Sequence, residues 1–245
     1  MRVQSLTLAA AGAALLAPTT LPAKPPPPAP AAGPQRPPVR EAERPRVREG
    51  DVGAADLLAA VRHCAPVSSG RYRSDDDAPA AIPVCGARGA VFFKADLDID
   101  CDGRPGPRCN RRTDPLFSSM TAFQQSDGRY LSAETLPYIV VPSPGPVWDH
   151  RDHGITGGSV AAVIHRGRVQ YAVVGDVGPR DIIGEASYAA ARGLGIRTDP
   201  RGGGVPSGVT YIVFENSGGS PIEDHRATAA RGRTLARKFL AENRN

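Results

Sequence analysis

The chain has 245 residues, of which 40% are hydrophobic and 22% are charged. This apolar content supports a folded core, and no apolar run reaches the roughly 18–20 residues that a membrane-spanning helix needs. The formal net charge is +5, but residues 1–50 carry 7 basic and 3 acidic side chains, and residues 222–245 carry 6 and 3. That leaves 17 basic and 19 acidic side chains, a net charge of −2, in residues 51–221. The folded part therefore lacks the basic balance expected of a nucleic-acid-binding protein.

The first 50 residues are typical of an export signal followed by a spacer. Residues 1–23 combine Arg2 near the start, a short apolar stretch and a run of small residues, which is the layout of a secretory signal peptide. Residues 24–50 are rich in Pro and predict a stiff linker. We therefore expect a secreted, extracellular protein that has no membrane attachment after signal cleavage, with one folded domain over residues 51–245.

Four cysteines follow the linker: Cys64, Cys85, Cys101 and Cys109. An even number in an exported protein predicts two disulfides. Of the three pairings we favour Cys64–Cys85 with Cys101–Cys109, because each closes a short loop. Zinc is the weaker interpretation, since the chain has no Cys-x-x-Cys pair. The His-Arg-Asp-His stretch at residues 150–153 is interpreted as part of a polar loop and not as a metal site. No bound metal is expected.

The hydrophobic pattern predicts more strands than helices. Ala55, Leu58 and Val61 have helical spacing and predict a short helix over residues 53–63. Further helices are predicted over residues 187–194 and 223–242, and strands over residues 90–100, 138–141, 158–165, 168–175 and 209–215. Arg166 and Gly167 form the tight turn of a hairpin. The pattern favours a mainly β (α+β) fold, a small six-stranded β-barrel with peripheral N- and C-terminal helices, over a doubly wound α/β fold.

The first long strand carries an acidic stripe. Apolar and acidic residues alternate, so that Asp96, Asp98 and Asp100 share one face. Such carboxylates repel one another unless a cation or a hydrogen-bond network offsets the repulsion. Three interpretations stay open: a solvated edge strand, a calcium loop, and a groove that attracts a polycationic substrate. The calcium loop would start at Asp98 and include Asp102, but its twelfth position is Cys109 and not the expected Glu.

The segment GDVGPRDIIGEAS, residues 175–187, holds two carboxylates in Gly-rich turns. Asp176 ends an apolar strand and Glu185 precedes a predicted helix. Glycoside hydrolysis needs two carboxyls, one that donates a proton to the leaving oxygen and one that stays ionised. The competing interpretation is structural, with Asp176 capping a turn and Glu185 capping the helix.

Several segments carry a family resemblance. FFKADLDIDCDG, the TDP of residues 113–115, YAVVGD, IGEAS and YIVF occur in this order, and over residues 88–217 they resemble glycoside hydrolase family 75. These are secreted chitosanases of fungi and actinobacteria. The resemblance implies an inverting endo-hydrolase of β-1,4-linked glucosamine polymers that needs no metal or other cofactor, with Asp176 and Glu185 as the catalytic pair. Inversion implies carboxyls about 6.5–9.5 Å apart.

We expect Glu185 to be the acid and Asp176 to orient the water. The acidic stripe of Asp96, Asp98 and Asp100 is expected to bind chitosan, a polycationic polysaccharide, by local charge. The Asp-x-Gly and Ile-x-Gly-Glu turns are similar to those of double-psi β-barrels, by analogy only.

Two aromatic residues, Tyr211 and Trp148, are candidates for stacking on sugar faces, with core packing as the competing role for Tyr211. We expect a monomer with no nucleic-acid partner. Cleavage of peptidoglycan and non-catalytic, expansin-like glycan binding are the alternative functions.

Overall fold

The structure is a computed structural model that describes residues 52–243. The predicted signal peptide and the Pro-rich linker lie outside the described residues. The helices are α1 Ala54–Ala60, α2 Tyr188–Leu194 and α3 His225–Glu242. The strands are β1 Ala65–Pro66, β2 Cys85–Ala87, β3 Ala90–Asp100, β4 Tyr138–Pro142, β5 Val160–His165, β6 Arg168–Gly178, β7 Glu185–Ser187 and β8 Val205–Phe214. A 3₁₀ helix spans His150–His153.

Six of the strands close into a barrel. The hydrogen-bonded order is β3-β7-β4-β6-β5-β8, and β8 pairs back onto β3, while β2 and β1 extend the sheet beyond β3. The pairs β3–β7 and β4–β6 are parallel, and most of the others are antiparallel. This confirms the mainly β fold and the six-stranded barrel; the double-psi type stays a prediction.

The side chains of β3 contribute to two hydrophobic cores, one inside the barrel and one on its outer face. Phe93, Ala95 and Leu97 point into the barrel, where Phe93 stacks on Tyr211 with ring centroids 4.6 Å apart. Phe92 lies on the outer face, which α1 and α3 cover. Successive side chains of a strand point to opposite faces, so one strand contributes to both cores.

The two terminal helices cover the outside of the barrel. Ala54, Leu57 and Val61 are buried, and Ala55 is exposed. The spacing 54, 57, 61 is also helical, and it buries Leu57 completely. On α3, Phe239 is buried and meets Phe214 edge to face at 6.0 Å. None of the described helices has the length and apolar character that a membrane crossing requires.

Both predicted disulfides are confirmed, Cys64–Cys85 and Cys101–Cys109. The second lies in a separate apolar cluster under the long connection between β3 and β4. Glu134 accepts the backbone N–H groups of Arg108 and Cys109 at 2.7 and 2.8 Å, which ties the disulfide loop to the rest of this connection.

The hairpin between β5 and β6 is confirmed, with φ of +45° at Arg166 and +77° at Gly167. Two positive φ values in a two-residue turn are the type I′ geometry that matches the twist of the strands. Strand β8 begins four residues earlier than predicted, at Val205. Its first residues are only partly buried or exposed, so the apolar pattern that marks a buried strand starts at Val209.

Candidate active site

A cleft of about 510 Å³ contains most of the predicted site. Among the described residues that line it, nine are acidic and one, Arg201, is basic. The acidic residues are Asp75, Asp76, Asp98, Asp100, Asp102, Asp114, Asp176, Glu185 and Asp199. The negative charge of residues 51–221 is therefore concentrated in one concave surface.

Strand pairing brings distant carboxyls into this cleft. The parallel pair β3–β7 sets Asp98 opposite Glu185, and the parallel pair β4–β6 sets Val140 opposite Asp176. Strand β4 also pairs with β7 at Ile139 and Ala186. The end of β6 and the start of β7 therefore lie on either side of β4, and both strand ends contribute a carboxyl to the cleft.

Asp176 is a nearly buried carboxylate that accepts two hydrogen bonds. It is 8% exposed, and its Oδ1 accepts the N–H of Ala122 and of Val177, each at 2.7 Å. Burial raises the pKa of Asp176, while both N–H donors act to lower it. Because N–H donors favour the ionised form, the residue is set up as a hydrogen-bond acceptor.

Glu185 has a different environment. It is partly buried, and the described residues donate no hydrogen bond to its carboxyl. Burial, followed by the charges of Asp98, Asp102 and Asp176, raises the pKa of Glu185 to about 7. A Cβ on Gly178 would lie 2.9 Å from Glu185 Oε2, so glycine at this position leaves room for the carboxyl. In mildly acidic solution Glu185 therefore holds a proton that it can donate.

Asp100, Asp102 and Asp176 form a second feature of the cleft. Their carboxylate oxygens lie within 4.8 Å of one another, a spacing at which carboxyls can share a proton or hold a cation. Asp100 Oδ1 accepts the Asp102 N–H at 2.6 Å, and Asp102 Oδ1 accepts the Ser118 N–H at 2.7 Å. Burial raises the pKa of Asp100 well above its usual range and that of Asp102 to about 6.

The acidic stripe divides in the structure. Asp98 and Asp100 line the cleft as predicted, but Asp96 is 6% exposed and does not. The β3–β8 register shifts between Ala95 and Leu97, and the Asp96 side chain lies against Gly184 instead of in the cleft. The expectation that Asp96 contacts substrate is therefore not met by this geometry.

The two aromatic candidates are in the core. Tyr211 is fully buried, and its hydroxyl donates to the Asp96 carbonyl at 2.9 Å. Trp148 is 4% exposed and packs against His150 and His153. Neither ring lines the cleft, so neither is available to stack on a sugar.

Sequence reasoning missed several carboxyls of the cleft, among them Asp75, Asp114 and Asp199. They lie in loops, where no periodicity relates them to the strands. Asp102 was considered only as part of a calcium loop, although its place two residues after Asp100 was a usable signal.

The chain matches the sequence profile of the family described as fungal chitosanase of glycosyl hydrolase group 75 over residues 97–241. This is more than half of the chain, and it includes Asp98, Asp176 and Glu185. The chain belongs to glycosyl hydrolase group 75.

Three relatives illustrate the likeness. The chain is 35% identical over 133 residues to "Endo-chitosanase C" of Aspergillus oryzae, which covers 52% of this chain and 32% of that protein. It is 31% identical over 121 residues to "Endo-chitosanase" of Aspergillus fumigatus, a match that covers 47% of this chain and 49% of that protein. A further "Endo-chitosanase" of Aspergillus oryzae (strain ATCC 42149 / RIB 40) is 31% identical over 151 residues, a match that covers 56% of this chain and 60% of that protein. The matches thus span about a third to three fifths of these group 75 relatives.

Proposed function

We propose that this protein is a secreted endo-chitosanase that hydrolyses β-1,4 bonds between glucosamine units by an inverting mechanism. The observation that carries the proposal is the acid-lined cleft with Asp176 and Glu185 in contrasting environments. Membership of group 75 and the names of the relatives support the same substrate. Export is supported by the composition of residues 1–23 and by the two disulfides.

The charge of the cleft suits a cationic polymer. Glucosamine units carry ammonium groups, and nine carboxyl-bearing residues against one arginine make the cleft strongly negative even though the whole chain is basic. A concave surface of one sign raises the local concentration of a substrate of the opposite sign. Asp98 and Asp100 are the substrate-binding acids on β3 that we assign to these ammonium groups.

The two carboxyls take complementary parts in the reaction. Protonated Glu185 donates its proton to the glycosidic oxygen as the bond to the anomeric carbon breaks. Ionised Asp176, held by the N–H groups of Ala122 and Val177, takes a proton from a water that attacks the opposite face of the sugar. The cycle ends with Asp176 protonated and Glu185 ionised, and exchange with solvent restores both.

Digestion of chitosan by the purified protein tests the proposal. We expect short glucosamine oligomers whose new reducing ends appear first as the α-anomer in proton NMR, as inversion requires. Asp176→Asn and Glu185→Gln should each lower kcat by about 10²–10⁴-fold, the usual contribution of a general acid or base. Their thermal melts should be no lower than that of the wild type.

The matched control is Asp127→Asn, which removes an exposed carboxylate that pairs with Arg129 outside the cleft. It should hydrolyse chitosan at the wild-type rate. Full activity of Asp176→Asn or Glu185→Gln would refute the role given to that residue. Parallel digests of chitin and peptidoglycan separate the alternatives, because muropeptide release with no action on chitosan, or binding without new reducing ends, would each contradict a chitosanase.

A further inference from the structure

Asp96 is a buried carboxyl to which the proposed mechanism gives no role. Its Oδ1 atom is buried and has no hydrogen-bond partner among the described residues. Buried polar atoms are nearly always paired in folded proteins, because an unpaired one loses its hydration without compensation. Since Asp96 does not line the cleft, a bound substrate does not supply the missing partner.

The unpaired oxygen lies against the turn that carries Glu185. A Cβ on Gly184 would be 2.0 Å from Asp96 Oδ1, so the carboxyl fills the space that a side chain would occupy. Gly184 has a φ of +127°, a conformation that L-residues rarely adopt. Glycine is therefore required here both for its backbone conformation and for the approach of the Asp96 carboxyl.

Two hydrogen bonds connect the same turn to β3. The Asp98 N–H donates to the Gly184 carbonyl at 2.9 Å. The Tyr211 hydroxyl lies 2.9 Å from the Asp96 carbonyl and 3.2 Å from the Gly184 carbonyl. Tyr211 itself is fixed by burial and by stacking on Phe93. The position of Glu185 is therefore coupled to Asp96 through one residue of backbone.

We propose that Asp96, in its protonated form, is a positioning residue for Glu185, whose turn it holds by packing against Gly184. The inference rests on the proposed function, because it takes Glu185 as the general acid. In an ionised Asp96 the Oδ1 atom would lie unpaired, and the carboxylate would be close to other acids, which are Asp98 on β3, Asp75 in the loop before β2 and Glu185 on β7. Burial first, and these carboxylates with it, raise the pKa of Asp96 to about 7, so the neutral form prevails in acidic solution.

Two substitutions separate positioning from bulk stability. Asp96→Ala removes the group that packs against Gly184, and kcat on soluble glucosamine oligomers should fall by about tenfold or more with KM changed less than about twofold. Asp96→Asn keeps the shape and stays neutral, so it should retain kcat at pH 5 within about twofold. Rescue by Asp96→Asn shows that the neutral group is sufficient, and the loss of kcat without a matching change in KM in Asp96→Ala distinguishes positioning of Glu185 from a general loss of stability.

The pH profile gives the second readout. In the wild type, activity above neutral pH is lost as both Glu185 and Asp96 lose a proton, so log kcat should fall with a limiting slope of about −2. In Asp96→Asn only Glu185 remains to titrate, and the slope should be about −1. Titration of the substrate's amino groups is common to all variants, so the difference in slope is the measured quantity.

Thr210→Val is the matched control, because it removes another buried polar group from β8 beside β3 without touching Gly184 or Glu185. It should keep the wild-type slope. Equal slopes in wild type and Asp96→Asn, or wild-type kcat in Asp96→Ala, would overturn the proposal. If Asp96→Ala does not fold, the slope of Asp96→Asn alone decides.

Hydrogen exchange of the Asp98 amide tests the same contact without substrate, since that N–H donates to the Gly184 carbonyl. Asp96→Ala should speed this exchange by about tenfold or more, and Asp96→Asn should leave it within about threefold at pH 6. Unchanged exchange in Asp96→Ala refutes the positioning role. If the wild type fails to cleave glucosamine oligomers, the proposed function fails, and the exchange measurement still decides whether Asp96 holds the turn.

Discussion

At the scale of single residues, the site depends on how differently two similar carboxyls are surrounded. Asp176 receives two N–H donors, whereas Glu185 is placed among other acids with no donor from the described residues. Hydrogen bonds favour an ionised carboxylate, and burial among negative charges favours a protonated one. Such a contrast lets two carboxyls divide the work of acid and base at one pH.

Leu116 is the most exposed large apolar side chain described, at 89%, and it lies at the rim of the cleft. Its N–H donates to Asp114 Oδ1 at 2.9 Å and its neighbour Phe117 is buried, which holds the leucine outward. We expect Leu116→Ala to raise KM for chitosan by about three- to tenfold with kcat unchanged, since an apolar contact to a sugar face contributes roughly 1 kcal/mol. Met120→Ala is the control, because Met120 is 55% exposed but lies outside the cleft. Equal KM values for the two variants would contradict this.

At the scale of elements, the strands were predictable because their periodicity is local. Polar and apolar residues alternate in β3 from Lys94 to Asp100, and the hairpin turn at Arg166 and Gly167 follows from its residue types. The pairing of β7 with β3 was not predictable, because β7 has only three residues and its partner lies far away in sequence. The short helix near residues 53–63 was predictable from its apolar spacing, which α1 confirms.

The two disulfides differ in their distance from the chemistry. Replacing Cys101 and Cys109 with Ser should lower the free energy of unfolding by about 2–3 kcal/mol, given the short loop they close. It should also lower kcat/KM by about tenfold, because Cys101 lines the cleft and Asp102 follows it. Replacing Cys64 and Cys85 with Ser should lower the free energy of unfolding by about 3 kcal/mol. It should leave kcat/KM unchanged at 25 °C, since neither cysteine lines the cleft. Thermal melts and chitosan assays of both double variants measure these changes. Equal kcat/KM values for the two double variants would contradict the prediction.

At the scale of the whole molecule, acidic and basic side chains are concentrated on different surfaces. The cleft gathers carboxyls, while the exposed side of α3 carries much of the basic excess of residues 222–245. Like charges held together cost stability when all are ionised. A concave surface that gathers many carboxyls therefore weakens the fold at the pH where most of them are ionised.

This separation predicts how stability depends on pH. The folded protein raises the pKa of Asp96 and Glu185 to about 7 and that of Asp102 to about 6, so it binds protons more tightly than the unfolded chain. The stability from these groups is fully present below pH 4 and is lost as pH rises through 6 to 7. Asp149, whose pKa is lowered to about 2, contributes stability that is lost only as the pH falls below about 4, outside this range. Stability should thus fall by about 2 kcal/mol or more from pH 5 to pH 8.

For a domain of this size that difference corresponds to a melting temperature roughly 4–8 °C lower at pH 8. Calorimetry at the two pH values measures it. Asp96→Asn should reduce the difference in melting temperature between pH 5 and pH 8, because it removes one of the titrating groups. A higher melting temperature at pH 8 than at pH 5 would contradict the charge distribution described for the cleft.

The candidate site was predictable in part. Asp176 and Glu185 were predicted from their Gly-rich segment and the family resemblance, and Asp98 and Asp100 from strand alternation; all four line the cleft, and their roles stay predictions. Asp96 was misplaced because alternation gives the face of a strand but not what covers that face. Tyr211 packs in the core, which was the competing role given to it, and Trp148 is also buried, because burial of an aromatic ring depends on the closure of the whole barrel.

The β5–β6 turn lies at the far end of the strand that ends in the cleft. Eight residues separate Arg168 from Asp176, and at about 3.3 Å per residue the turn is roughly 25 Å from the reacting carboxyls. A side chain added at Gly167 would meet no other atom within 4 Å. This turn is thus the place to insert a peptide tag or to anchor the protein on a solid support while the cleft stays accessible.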